Sequence, residues 1–280
     1  MKFDNYIGKF ASSGDVQTAL NDGDLIKPYI ALVEGEGIDY NSKTETDYRT
    51  IPLTFEILSD GNIVWKHDSS DGIKTIEYSL NGGNWTSITS SEGGAVINVN
   101  SGDTVQFRGN NEYYSYKEDD VDYYNTFSGS TAQFKVYGNI MSLINRTNFS
   151  GLTTFNRERV FLGLFICCTG LTDASKLVLP ATALTESCYA SMFYNCTSLT
   201  TAPALPATTL ADSCYRGMFN SCYSLNYIKC LATDISASSC TTYWVVYVAS
   251  SGTFVKNPNI NNWPTGTSGI PSTWTVVDAS

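Results

Sequence analysis

A 26-residue repeat between residues 179 and 228 limits what this chain can fold into more than any other feature. Leu179-Pro180-Ala181-Thr182-Ala183-Leu184 returns as Leu205-Pro206-Ala207-Thr208-Thr209-Leu210, and Ser187-Cys188-Tyr189 returns as Ser213-Cys214-Tyr215. Met192-Phe193 matches Met218-Phe219, and Cys196-Thr197-Ser198-Leu199 matches Cys222-Tyr223-Ser224-Leu225. A degenerate third copy begins at Leu231 and reaches Cys240 and Trp244. A partial copy lies upstream, where Leu164 through Thr172 echoes Met192 through Thr200 at an offset of 28. A unit this short cannot bury an apolar face alone and must stack on its neighbours. The repeating positions are therefore packing positions: Cys188, Met192, Phe193, Cys196 and Leu199, then Cys214, Met218, Phe219, Cys222 and Leu225, then Cys240 and Trp244. Positions that differ between copies, such as Ala190 against Arg216 and Tyr194 against Asn220, are expected to be exposed.

Within a copy, Leu184, Cys188, Met192 and Phe193 fall at helical spacing, which predicts one short helix per coil over 184–193. Pro203 excludes a helix from the following stretch, and Leu225-Asn226-Tyr227-Ile228 has strand character. Each coil thus reads as a helical turn plus a short strand, an α/β solenoid over residues 141–248. All eight cysteines lie between Cys167 and Cys240, and the 26-residue spacing of Cys188, Cys214 and Cys240, and of Cys196 and Cys222, is that of a structural repeat rather than of a metal knuckle. They read as buried thiols. The pair Cys167-Cys168 has neither Cys-x-x-Cys spacing nor the basic neighbours that would activate it.

Upstream, Leu53, Phe55 and Ile57, then Ile76, Tyr78 and Leu80, then Val105 and Phe107, then Phe134 and Val136 alternate with period two. Turn signals separate them at Ser59-Asp60-Gly61-Asn62, Asn81-Gly82-Gly83-Asn84 and Asn100-Ser101-Gly102-Asp103. Residues 46–140 are expected to form an all-β, immunoglobulin-like sandwich. Residues 1–45 form a third, small α+β unit, with a helix opened by the capping-box spacing of Ser12 and Asp15 and a strand over 29–33. This unit is too small for a core of its own, and it is expected to serve as an anchor or oligomerisation segment. Residues 249–280, with Trp263 and Trp274, break the rhythm and read as the cap that covers the open end of the stack.

The net charge of −10, with no basic run, argues against nucleic acid or an anionic membrane as partner. His67 is the only histidine, so two-histidine metal sites are excluded and any Ser-His or Cys-His pair must run through it. It follows Trp65-Lys66 in a presumed strand, reads as a surface or edge position and takes no role. There is no apolar run long enough to span a membrane, and the N-terminus does not read as an export signal. Glu118, Asp119, Asp120 and Asp122 form an acidic loop, either solvated or a calcium site. As neighbours on an extended strand the two aspartates would point apart, and no second carboxylate is placed opposite them for glycoside hydrolysis. No catalytic residue, metal or cofactor is assigned. Tyr194, Tyr223 and Tyr227, with Arg216, are the candidate binding surface, because exposed tyrosines suit carbohydrate stacking or a protein contact.

The stretch from Leu205 through Leu225 resembles the BspA-type leucine-rich repeat, and the resemblance covers roughly residues 150–248. The ending Gly252-Thr253-Phe254-Val255, Gly269-Ile270-Pro271 and Trp274-Thr275-Val276 is similar to segments found behind such repeats in proteins of gut Bacteroidetes and their phages. Ala11 through Leu20, with Lys27-Pro28-Tyr29, resembles a leader of virion proteins of crAss-like Bacteroides phages. Together these imply a phage virion protein, either a head or tail fibre or a capsid decoration. It would be held to other virion proteins by its N-terminus, be homo-oligomeric, and display the repeats to a host surface protein or glycan. The alternative is a bacterial cell-surface adhesin of the same repeat type, and a third class is a glycan-processing enzyme.

Overall fold

The computed structural model describes residues 6–10, 30–33, 46–68 and 72–279. The chain divides into two compact units, Met1–Thr46 and Asp47–Ser280. In the first, β1 (Tyr6–Phe10) and β2 (Ile30–Val33) pair in parallel. The helix expected between Ser12 and Leu20 lies outside the described residues.

The second unit opens with strands joined mostly by tight turns: β3 (Leu53–Ile57), β4 (Gly61–His67), β5 (Thr75–Leu80), β6 (Thr86–Thr89), β7 (Ala95–Val99), β8 (Thr104–Arg108), β9 (Ser115–Glu118), β10 (Val121–Thr126) and β11 (Phe134–Asn139). The β5–β6 turn puts Asn81 and Gly82 in the left-handed region, φ 51° and 71°, as an Asn-Gly hairpin requires. One sheet has the order β7-β4-β10-β9. The other runs β12-β11-β3-β8-β5-β6, where β12 (Leu171–Val178) comes from the repeat region. Between the sheets the ring of Phe55 lies 4.7 Å from Phe134, 4.8 Å from Phe127 and 4.9 Å from Phe107, and Trp65 lies 4.9 Å from Phe127. The immunoglobulin-like sandwich expected over 46–140 is corrected here, because its sheet does not end with that segment. Strand β12 adds to β11 in parallel, and Asp173 of β12 bridges to Thr201, which bridges to Tyr227.

The expected α/β leucine-rich-repeat solenoid is overturned. The described residues contain no α-helix, only short 3-10 turns such as Tyr48–Thr50 and Ile140–Leu143, and the unit is nearly all β and turn. Over 184–193, where a helix was expected, and on to Asn195, every fourth residue adopts a left-handed conformation: Ser187, Ser191 and Asn195 in one coil, Ser213, Gly217 and Ser221 in the next. Even-numbered amides close turns three residues back, as in Met192 N–H to Tyr189 O and Met218 N–H to Tyr215 O. Odd-numbered amides cross to the following coil, as in Tyr189 N–H to Cys214 O and Phe193 N–H to Met218 O. The chain therefore forms a turn ladder, with half its donors spent inside the coil and half between coils.

Spacing explains why this conformation wins over a helix. Packed helices stand ~8–10 Å apart, whereas strands in a sheet stand ~4.8 Å apart. The opposite wall of the coils is held at strand spacing by the parallel bridges Thr154 to Ala183 to Thr209 to Asp234. A second parallel run, Asp173 to Thr201 to Tyr227, continues through β13 (Tyr227–Cys230), β14 (Thr253–Lys256) and β15 (Thr275–Asp278). A ladder lets both walls advance together. Strand β14 keeps the 26-residue offset, Tyr227 opposite Thr253, so the rhythm persists into the segment read from sequence as a cap.

Stacking at this spacing aligns equivalent rings into two files. One runs Phe127, Phe165, Phe193, Phe219, Trp244, and the other Tyr114, Phe161, Tyr189, Tyr215, Trp244. Successive centroids are between 5.4 and 6.3 Å apart, in the range where aromatic pairs add ~0.5–1.5 kcal/mol each beyond burial. Cys188, Met192, Phe193, Cys196 and Leu199 are buried, as are Cys214, Met218, Phe219, Cys222, Leu225, Cys240 and Trp244. Both ends of the ladder are met. Tyr114 N–H and Phe127 N–H donate to Val160 O and Leu164 O of the first coil. At the other end Val245 N–H reaches Thr267 O, Trp244 Nε1 donates to Gly269 O at 2.7 Å, and Trp263 stacks on Trp244 at 5.8 Å.

Candidate functional site

The ladder has two residues in and two out per turn. Cys188-Tyr189 and Met192-Phe193 point inward, while the left-handed residue and the one before it take the other side, where small residues such as Ser187, Gly217 and Ser221 stay covered and large ones reach solvent. Tyr194 and Arg216 occupy outward positions and are exposed, and Tyr223, which follows the ladder of its coil, is exposed too. Tyr227 is not brought to this face: it sits half-buried in β13, in the strand wall. Ala190, expected to be exposed, is 5% accessible, a methyl too short to clear the flanking coils, and Asn220 is half-buried beneath its hydrogen bond from Ser221 Oγ.

Sequence reasoning missed Tyr243 and Tyr247, which join Tyr223 on this face. They are 60% and 68% accessible, beside 57% for Tyr223, and the rings of Tyr223 and Tyr247 stack at 6.3 Å and 28°. Both Tyr243 and Tyr247 are left-handed, φ 56° and 58°. A side chain with a Cβ costs ~1–2 kcal/mol there. The preceding coil places Gly217 and Ser221 at these two sites, and the coil before it Ser191 and Asn195. The signal was available in the degenerate third copy, where bulky aromatics replace small residues.

The acidic loop is a hairpin turn, not an extended strand. Asp119 and Asp120, φ 47° and 63°, join β9 to β10. Lys117 hydrogen-bonds Asp120 at 2.8 Å, which holds that carboxyl below its ordinary pKa. Asp122 turns instead to Arg159, 3.3 Å away. Arg159 also meets Glu158 at 2.9 Å and Glu186 at 2.7 Å. Burial works against its charge, but the carboxylates of Glu186 and Asp122 outweigh that and raise its pKa. This cluster clips the hairpin onto the first two coils. A groove of about 640 Å³ beside it is lined by Tyr113, Tyr116, Phe155, Arg157 and others, and Arg157 is engaged by Glu112 at 3.1 Å. Among the described residues no three His, Cys, Asp or Glu side chains converge as metal ligands.

All eight cysteines are free, and all but Cys167 are buried. Burial pushes the thiols of Cys188, Cys222 and Cys230 up to about 12. Cys196 Sγ and Cys222 Sγ donate to Phe165 O and Phe193 O of the preceding coil, both at 3.0 Å, so these thiols tie coils together. His67, expected at the surface, is 6% accessible because β10 pairs along the end of β4, with Asn125 opposite it. No helix of the described residues is long and apolar enough to cross a membrane. No family model, curated protein or solved structure matches the chain.

Proposed function

We propose that this chain is a structural, non-catalytic virion protein that uses its first unit for attachment and its coil stack for display. Residues 1–46 join it to other virion proteins or to further copies of itself. The outward face of the ladder, with Tyr194, Arg216, Tyr223, Tyr243 and Tyr247, meets a host surface protein or glycan. The observation that carries the reading is on this face: Tyr243 and Tyr247 are held in the open on a backbone whose amides are bonded from coil to coil, at positions where the other coils carry small residues. The division of the chain at 46/47 supports a separate attachment unit.

Deleting residues 1–46 tests the attachment half. The remainder is expected to stay folded and soluble and to be lost from purified particles. Light scattering of the two chains then separates the modes of attachment. An oligomer reduced to a monomer favours a self-assembling fibre, and two monomers favour docking on another virion protein. Retained incorporation without residues 1–46 overturns the proposal.

A further inference from the structure

We propose that Tyr223, Tyr243 and Tyr247 form a stacking platform for a neutral oligosaccharide; the inference rests on the display reading above and gives the chemistry of what the face receives. Tyr243 and Tyr247 stand four residues apart on the last coil, and Tyr223 of the preceding coil stacks on Tyr247 at 6.3 Å. Their side chains are more than half accessible, so packing does not account for them. Tyr243 and Tyr247 also occupy left-handed sites where the preceding coils have Gly217, Ser221, Ser191 and Asn195, so backbone preference does not account for these two either. Two large side chains kept against local conformational preference, in solvent, point to a contact made outside the molecule.

Charge selects the partner. The chain is strongly acidic, at −10, yet no charged residue lies between Asp234 and Lys256, the stretch that carries the last coil. The outward positions beside the tyrosines are Ser238, Ser239, Thr242 and Val246, mostly hydroxyl-bearing. The last coil itself is uncharged and largely hydroxyl-bearing, with one residue of each sign, Arg216 and Asp212, on the coil before it, and such a surface fits an uncharged ligand rich in hydroxyls. A pyranose offers a face of weakly positive C–H groups to the negative face of a tyrosine ring, and its hydroxyls to the phenol and serine oxygens. An acidic sugar would instead meet the negative field of the whole protein.

The test uses the full chain and isothermal titration with cellohexaose, mannohexaose and a neutral N-acetyllactosamine hexasaccharide, with hexagalacturonate as the acidic probe. At least one neutral sugar is expected to bind, and hexagalacturonate more weakly. Tyr243→Ser/Tyr247→Ser, which installs a residue type the ladder already uses at such sites, is expected to weaken binding at least tenfold while the thermal midpoint stays level or rises. Tyr243→Phe/Tyr247→Phe is expected to keep binding within a few-fold. Failure of every neutral sugar to bind, tighter binding of the acidic one, or a clear drop in midpoint in the serine variant overturns the platform; the last outcome would make the tyrosines structural. Particle incorporation is read separately. A chain that enters particles but ignores all sugars removes the platform alone, and one that binds sugar but enters no particle removes the virion reading alone.

Discussion

The hydroxyl of Tyr189 is buried in an aromatic file without a hydrogen-bond partner, and one coil earlier the same place is filled by Phe161. An unpartnered buried hydroxyl costs ~1–3 kcal/mol, whereas the ring contacts are those of phenylalanine. Tyr189→Phe is therefore expected to raise stability by about 1 kcal/mol, read as a higher urea midpoint at unchanged slope; a lower midpoint would mean the hydroxyl is satisfied. At this scale the sequence was informative about burial and weak on conformation. The recurrence of Cys188, Met192 and Phe193 at 214, 218 and 219 marks inward positions whatever the backbone does. The left-handed sites carry only a faint mark, a Ser, Asn or Gly at every fourth place, and Arg159, Cys167, Tyr243 and Tyr247 blur it.

The coil is the element at which sequence reading failed, and the cause is periodicity. Apolar residues at 184, 188, 192 and 193 satisfy a helix of 3.6 residues per turn as well as a ladder of four, and local spacing cannot separate the two. What separates them is non-local: the fixed distance to the next coil. The same close stacking sets an alkaline limit on the stack. Cys188, Cys222 and Cys230 keep their protons to about 12 when folded, against an ordinary value of 9.0. Below about pH 9 both states hold the proton and the full stability is present. As pH rises from there towards 12, the unfolded chain releases protons that the native one retains, and stability falls by about 1.4 kcal/mol per thiol per pH unit. Urea midpoints at about pH 8 and about pH 10 are expected to differ accordingly, with a smaller difference in Cys222→Ala. A midpoint flat across that range would mean the thiols ionise freely in the native state.

Across the whole molecule, residues 47–280 share one hydrophobic core, and the β11–β12 pairing carries a sandwich sheet into the coils. Reading the sequence as an immunoglobulin-like sandwich followed by a separate α/β repeat missed this seam. The residues that make the seam, Phe127, Phe165 and Leu171, carry no sign in sequence that they face one another. A fragment of residues 47–280 is expected to melt in a single calorimetric transition with matching calorimetric and van't Hoff enthalpies; two resolved transitions would show that the seam does not couple the parts. The coil-to-coil ladder has a further consequence. Every junction between successive coils is built alike, one edge giving amides and the other receiving them. The sandwich finishes the receiving end, and Thr267 to Gly269 finishes the giving end. Neither terminus registers how many coils lie between, so an in-frame duplication or loss of one repeat would leave both fits intact. It would move the last coil by about one ring spacing, 5.4 to 6.3 Å, and the reach of this protein is thus a dimension that recombination can lengthen or shorten in whole steps.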